Sequence, residues 1–231
     1  MVNEILFFSF AIFCLSVILI IFRFGKLYLF ILISIFTIMM NIFVLKQFNL
    51  FGLMLTGGNI LYGSLFLITD LLSEHYGKKE AFRGIFIGFI TSIFFVISLQ
   101  FLLHFTPNSE DFAQESLEIL FNLSPRILLA SLISYLISQN IDIIIFDKIK
   151  RITNNKFLWL RNNLSTFISQ AIDTLFFTFF GLTTFTFLNW TLHGVIDTNI
   201  FWEIALATYL IKIIVALIDT PFIYLSYKIK K

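Results

Sequence analysis

The sequence has little cysteine and little net charge, and both shortages exclude classes of protein. Cys14 is the one cysteine among 231 residues, so an intrachain disulfide and a cysteine-based metal cluster are excluded. The three histidines lie at or near the ends of apolar segments, without a partner at metal-ligand spacing. The sequence therefore predicts no metal site and no cofactor. A formal net charge of +2 is too small to indicate a nucleic-acid partner.

Charged residues are also scarce relative to apolar ones. They make up 13% of the chain while 58% is hydrophobic, against about 25% and roughly 45–50% in soluble domains. A soluble core of this size has no room for so much apolar surface. Long apolar runs are typical of helices that cross a bilayer core about 30 Å thick. We therefore expect an integral membrane protein, with the lipid bilayer as its surroundings.

Seven apolar segments can be delimited along the chain. They cover residues 5–22, 27–46, 57–76, 84–105, 125–147, 163–188 and 200–227. In the third segment, Gly57, Gly58 and Gly63 leave open whether the whole segment is a helical span. The predicted fold is all-α: a polytopic membrane helix bundle of about seven transmembrane helices, with residues 1–231 forming a single integral membrane domain.

Lysine and arginine are distributed unevenly among the connections. They concentrate between segments one and two, three and four, and five and six, and after segment seven. The other connections are neutral or acidic, and the longest of them, residues 106–124, contains four carboxylates. The positive-inside rule assigns the basic connections to the cytoplasm. We therefore expect a multi-pass protein of the cytoplasmic (inner) membrane with its N-terminus outside and its C-terminus inside.

A few ionisable residues interrupt the apolar segments. At the bilayer centre such a side chain costs about 2.5–3.5 kcal/mol on insertion scales, so it is expected to face water or another polar group. Counted at about 1.5 Å per residue, Asp70, Asp173 and Lys212 lie near the midplane. Asp219 lies nearer the cytoplasmic side and Arg126 nearer the outside.

Polar residues recur at helical spacing in four of the segments. The sets are Asp70 with Glu74, Gln139 with Asp142, Thr166 with Gln170 and Asp173, and Thr208 with Lys212 and Asp219. Each set lies on one face of its helix. We expect the four polar faces to turn inward around a cavity. Two structural alternatives stay open: interhelical packing of the uncharged polar residues, and a structural ion pair between Asp173 and Lys212.

Four motifs in order resemble the queuosine precursor transporter family, also called the vitamin uptake transporter family. Residues 58–79 match the family signature F-x-x-x-D-x-x-x-E-x-Y-G-K. The later matches are residues 124–131, residues 159–166 with Gln170, Asp173 and Thr174, and Lys212 to Asp219, Thr220 and Pro221 with Tyr224. Asn41 and Lys46 resemble the family's N-x-x-x-x-K, and Tyr62 stands where the family often has proline. The likeness covers about residues 36–226, which implies a six-helix family core preceded by one N-terminal helix.

The resemblance implies import of 7-deazaguanine bases for the salvage of queuosine in tRNA. The 7-cyano and 7-aminomethyl bases, and queuine, are the implied substrates. Such a base donates through N1–H and an exocyclic amine, which suits a carboxylate, and accepts through a carbonyl, which suits Asn, Gln or Lys. Asp173 with Gln170 would then contact one edge, Lys212 would donate to O6, and Asp70 or Asp219 would receive an ammonium group or a coupling proton. The predicted substrate-binding residues are Asp173, Gln170, Lys212, Asp70, Glu74, Asn41, Arg126 and Asp219.

Other classes of membrane protein make different predictions. A substrate-binding subunit, or a carrier for another vitamin-like molecule, would require a separate energising module; a homo-oligomer is also open. A membrane enzyme is disfavoured because the chain has no H-E-x-x-H, G-x-S-x-G or Walker sequence.

Overall fold

The described part of the chain is a bundle of seven long helices and one short helix. The computed structural model describes residues 2–121, 125–187, 190–192, 196 and 198–229. The helices are α1 (Val2–Phe22), α2 (Lys26–Phe43), α3 (Gly58–His75), α4 (Lys78–Leu103), α5 (Gln114–Phe121), α6 (Pro125–Ile152), α7 (Leu158–Phe177) and α8 (Phe201–Ile229). The predicted all-α membrane bundle is confirmed.

Five helices among the described residues are long and apolar enough to cross a membrane. They are α1, α2, α4, residues Leu129–Ile152 of α6, and α8. Helices α3 and α7 have 18 and 20 residues, which at about 1.5 Å per residue gives about 27 and 30 Å. Both carry many polar side chains that are buried inside the protein, which lowers their hydropathy. The protein is thus a multi-pass membrane protein, while the count of seven full spans stays a prediction.

Helix α3 lies at the centre of the bundle. It packs against α1, α2, α4, α6 and α8, and nearly all of its residues from Gly58 to Ser73 are buried. At Gly63 a Cβ atom would come within 2.5 Å of Val215 Cγ1 on α8. Glycine at this position therefore allows the two helices to touch, and it does not unwind α3.

Two antiparallel hairpins connect helices, and one of their four strands, β3, falls inside a segment that the apolar pattern assigned to a helix. Strands β1 (Gln47–Leu50) and β2 (Leu53–Thr56) lie between α2 and α3, and β3 (Phe185–Phe187) and β4 (Trp190–Leu192) lie between α7 and α8. Helix α7 also begins five residues before the predicted segment at residue 163 and ends at Phe177, where a π-helical turn follows. Alternating threonine and aromatic residues after that turn favour a strand over a helix.

Candidate functional site

The polar faces of α3, α6, α7 and α8 meet inside the bundle in three successive layers. Along α3 from its N-terminus, the first layer is Tyr62, Ser134, Ser138, Asp173 and Lys212; the second is Asp70, Asp142, Asn162, Ser169 and Asp219; the third is Glu74, Lys150, Arg161 and Tyr227. The predicted inward orientation of the four polar faces agrees with this arrangement. Because the layers follow one another along all four helices, they form a polar path through an apolar bundle.

The first layer is built around the Asp173 carboxylate. Lys212 Nζ lies 2.5 Å from Oδ2, while Tyr62 OH and Ser134 Oγ donate to Oδ1 at 2.6 and 2.8 Å. Ser138 Oγ donates to the same oxygen at 3.3 Å. Asp173 and Lys212 are each 6% exposed. The Asp173–Lys212 ion pair therefore exists, and α3 and α6 supply hydroxyl groups that hold its carboxylate in place.

An aromatic ring and several unsatisfied polar atoms adjoin this ion pair. Lys212 Nζ lies 4.9 Å from the centroid of the Tyr62 ring, close enough for a cation–π contact. Gln170 Oε1 and Thr174 Oγ1, on the α7 face that carries Asp173, are buried without a hydrogen-bond partner among the described residues. Polar atoms in such a place are normally satisfied, so this layer has unused capacity to bind a polar molecule.

The second layer contains three fully buried carboxyl groups. Asp142 Oδ1 accepts from Ser169 Oγ at 3.0 Å, and Asp219 Oδ1 accepts from Asn162 Nδ2 at 2.8 Å. Asp70 faces both of the other carboxyl groups, and neither of its oxygens receives a hydrogen bond from the described residues. The layer is thus rich in acceptors and poor in donors.

The third layer is an ion-pair network at the far end of α3. Arg161 Nε and Nη2 lie 3.0 and 2.8 Å from the two oxygens of Glu74, and Lys150 Nζ lies 3.2 Å from Oε2. Arg161 Nη1 donates to the carbonyls of Asn155 and Lys156 in the α6–α7 connection. Arg161 is only 1% exposed. This bidentate pair therefore closes the polar path at the end that the charge distribution predicts to be cytoplasmic.

An open pocket adjoins the third layer. It has a volume of about 390 Å³ and is lined by Asn155, Phe157, Leu158, Arg161, Tyr224 and Tyr227. Tyr227 OH donates to Glu74 Oε1, and Tyr224 OH accepts from the backbone N–H of Trp159. The pocket thus lies directly outside the ion-pair network.

The predicted site residues fall into several places. The first layer contains or adjoins Asp173, Lys212 and Gln170, the second contains Asp70 and Asp219, and the third contains Glu74. Asn41 lies away from the layers and donates a hydrogen bond to Thr37 O of its own helix at 2.8 Å. The side chain of Arg126 lies outside what the structure describes. The set of predicted binding residues stays a prediction.

Sequence reasoning missed several members of the layers. Ser134 and Ser138 precede Asp142 at intervals of four residues, a signal that could have extended the predicted polar face of α6 beyond Gln139 and Asp142. Arg161 falls in a predicted cytoplasmic connection because the sixth apolar segment begins at residue 163. Tyr62 was noticed only as a departure from a family motif, because no pattern within α3 indicates that its hydroxyl reaches α7.

Comparisons with known proteins give the same assignment along nearly the whole chain. A family model described as "Putative vitamin uptake transporter" matches residues 56–226. A protein of Bacillus subtilis (strain 168) named "Probable queuosine precursor transporter" is 37% identical over 230 residues, which are 99% of this chain and 96% of that protein. A protein of Escherichia coli (strain K12) named "Queuosine precursor transporter" is 26% identical over 180 residues, 77% of this chain and 75% of that protein.

No solved structure matches the chain. The family and both relatives are named as transporters, and the protein is a transporter rather than an enzyme. The family match covers more than half of the chain and includes both the first and the second layer. The chain therefore belongs to the vitamin uptake transporter family.

Proposed function

We propose that this protein imports queuosine precursors across the cytoplasmic membrane, and that its substrates are 7-deazaguanine bases. The names of the two relatives support the substrate class. The observation that carries the proposal is the first layer, where a buried carboxylate and a buried ammonium lie beside unsatisfied polar atoms and an aromatic ring. A planar base with a donor edge, an acceptor carbonyl and a π-face suits this set of groups.

Asp173 would accept from N1–H and the exocyclic amine of the base. Its present hydroxyl partners have other acceptors at hand: Ser134 Oγ lies 2.9 Å from the backbone oxygen of Asp173, and Ser138 Oγ lies 3.3 Å from the backbone oxygen of Tyr135. Substrate donors would therefore replace the serines without leaving them unpaired. This exchange keeps the cost of opening the site low.

Lys212 would donate to the carbonyl oxygen O6. An ammonium group has three N–H donors, and the contact with Asp173 Oδ2 uses one of them. Gln170 Oε1 would accept a further hydrogen bond, and the Tyr62 ring offers a surface against which the base could stack.

Binding is tested by thermal stabilisation of the purified protein. We expect the 7-cyano and 7-aminomethyl bases, or queuine, at a hundredfold excess over Kd to raise Tm by roughly 5–10 °C. Guanine, adenine and riboflavin serve as comparison ligands, and riboflavin should give no shift. Stabilisation by riboflavin with none by any deazaguanine would favour another substrate class.

Transport is tested in a bacterium that cannot make the deazaguanine base. Expression of this chain should restore queuosine in tRNA at low external precursor concentrations. Good membrane expression without rescue by any of the three bases would contradict the proposal. Rescue that also required an added partner protein would favour a substrate-binding subunit with a separate energising module.

A further inference from the structure

Asp70 and Asp219 are among the predicted substrate-binding residues, where their role is to receive an ammonium group or a proton, so a base without an ammonium group leaves the second layer free of substrate contacts. The charge of this layer also differs from that of its neighbours. In the first layer Asp173 is paired with Lys212, and in the third Glu74 is paired with Arg161 and Lys150. None of the ion pairs among the described residues includes a carboxylate of the second layer. Three buried carboxyl groups therefore lie between two layers that each carry their own cations.

The unsatisfied atoms of this layer are hydrogen-bond acceptors. Both oxygens of Asp70, Oδ2 of Asp142, Oδ2 of Asp219 and Oδ1 of Asn162 are buried without a partner among the described residues. Asn162 adds an unpaired acceptor that is not an acid. Its Nδ2 donates to Asp219 Oδ1 at 2.8 Å, which fixes its side-chain carbonyl oxygen in the same layer. Gln139 Nε2 and Thr166 Oγ1 are unpartnered groups that can donate, but an amide and a hydroxyl cannot serve five acceptors.

A ligand that suits these acceptors supplies hydrogen-bond donors and positive charge. An unpaired carboxylate buried in a low-dielectric interior takes up a proton in preference to staying ionised. Two buried carboxyl groups that interact with each other, as Asp70 and Asp142 do, disfavour being ionised together, so a proton on one of them is favoured. Among the described residues, no group of three or more His, Cys, Asp or Glu is arranged to hold a metal ion. The proton is the ligand that meets both demands.

We propose that Asp70, Asp142 and Asp219 form a proton-binding site through which import is coupled to the proton gradient. This inference rests on the proposed function, because it assigns the energy source of that same transport. A proton passes from water on the outer side to a carboxylate of the second layer, and later from that carboxyl group to water on the cytoplasmic side. No covalent bond of the substrate changes.

The other charged groups near the site are already paired. Glu74, one turn along α3 from Asp70, is bound by Arg161 of α7 and Lys150 of α6. On α8, Lys212 is two turns from Asp219 and bound to Asp173 of α7. The remaining acidic, basic and histidine side chains described on the packed helices lie toward helix ends: Glu4 on α1, Lys26 on α2, His75 on α3 (bonded to Ser226), Lys78, Lys79, Glu80 and Arg83 on α4, Asp147, Lys148 and Arg151 on α6, and Glu203 and Lys228 on α8. The buried Cys14 thiol on α1 and Tyr135 hydroxyl on α6 lie further inside their helices, and both groups are neutral at physiological pH. Titration within the layer is therefore set by its own three acids.

The test uses the purified protein in proteoliposomes with the 7-cyano base, which carries no ammonium group of its own. With the lumen one pH unit more alkaline than the outside, coupling of one proton to each substrate should allow accumulation of up to about tenfold. Adding substrate should acidify the lumen, as read by an enclosed pH dye, and a protonophore should abolish accumulation. A sodium gradient of equal size without a pH gradient should give none.

Three single variants locate the coupling site. Asp70→Asn, Asp142→Asn and Asp219→Asn should each lose pH-driven accumulation while keeping substrate-dependent thermal stabilisation and substrate exchange across the vesicle membrane. Asp147→Asn is the matched control on α6, because Asp147 pairs with Arg151 at 2.9 Å at the edge of the bundle. This control should accumulate substrate as the unmodified protein does.

The outcomes separate the two proposals. Suppose that the unmodified protein transports the 7-cyano base without acidifying the lumen, or accumulates it in response to a sodium gradient. Proton coupling is then overturned, while the proposal that the protein imports deazaguanines stands. If no deazaguanine raises the Tm of the protein and none is transported into the vesicles, the proposed function itself is wrong. If a variant fails to reach the membrane, the proton flux of the unmodified protein still decides whether transport is coupled to protons. Normal coupling in all three folded variants would exclude the second layer as the proton-binding site.

Discussion

Asp173 is the residue whose role the structure makes most open to experiment. A structural ion pair with Lys212 and a substrate contact both suit its burial. The two roles differ in what happens when both charges are removed together, because buried ion pairs can often be replaced as a pair.

We predict that Asp173→Asn alone abolishes uptake, because an amide offers a donor where the base also donates. The double variant with Lys212→Met should not recover activity. Uptake of the precursor is the measurement, and abundance in the membrane is the control, since Asn is cheaper than Asp in lipid. Near-normal transport by the double variant would make Asp173 a purely structural residue.

Arg161 gives a second prediction at the residue scale, this time about stability. Its guanidinium reaches both oxygens of Glu74 and two backbone carbonyls, a geometry that the ammonium of lysine cannot reproduce. Losing charge-assisted hydrogen bonds worth about 1.5–3 kcal/mol should lower Tm by roughly 5–10 °C in Arg161→Lys. Arg151→Lys is the matched control, because the Arg151 side chain is 76% exposed and pairs only within its own helix. Equal melting temperatures for the two variants would contradict the buried network.

At the scale of elements, the contact between α3 and α8 depends on one glycine. We predict that Gly63→Ala destabilises the protein, because the added Cβ would lie 2.5 Å from Val215 Cγ1. Val215→Ala removes that methyl group, so the double variant should regain much of the lost stability. Thermal unfolding of the three variants measures the coupling. Additive losses in the double variant would show that the two helices do not meet at this point.

The helices themselves could largely be predicted from the sequence, and the hairpins could not. Apolar runs and basic connections delimit α1, α2, α4, α6 and α8 because lipid imposes length and hydropathy on a spanning helix. Hydropathy says less about α7, whose polar face begins at its first turn with Arg161 and Asn162. The sixth apolar segment runs past the end of α7 into β3, because hydrophobicity alone cannot distinguish an aromatic strand from the end of a helix.

The sequence predicts which residues form the candidate site, but not which of them lie in the same layer. Spacing within a helix identified the faces of Asp70, Gln170, Asp173 and Asp219. Which faces meet, and at which level, depends on how antiparallel helices are aligned, and a single sequence does not contain that alignment. The ion pair between Asp173 and Lys212 is one of the alternatives that the sequence leaves open, while Glu74 pairs with Arg161, which the sequence places in a connection between segments.

For the whole molecule, the distribution of basic residues predicts one orientation in the membrane. A reporter fused at the C-terminus should be cytoplasmic, and an impermeant label at a cysteine introduced at Glu115 should react from outside, with Cys14 replaced in the background. Helix α5 carries Glu115 at an exposed position, so the label has access. If the cysteine introduced at position 115 reacted only in inside-out vesicles, the seven-span topology would be contradicted.

The three polar layers also govern how the chain must be assembled during synthesis. Tyr62 bonds to a residue 111 positions later, and Glu74 bonds to Tyr227 at a separation of 153. Each layer includes a residue of α8, namely Lys212, Asp219 and Tyr227, so all three layers stay incomplete until the last helix leaves the ribosome. Until then the polar faces of α3 and α7 have to be sheltered by the insertion machinery or by temporary neighbours. Biogenesis is thus a late, collective event, in which α8 completes the helices made before it.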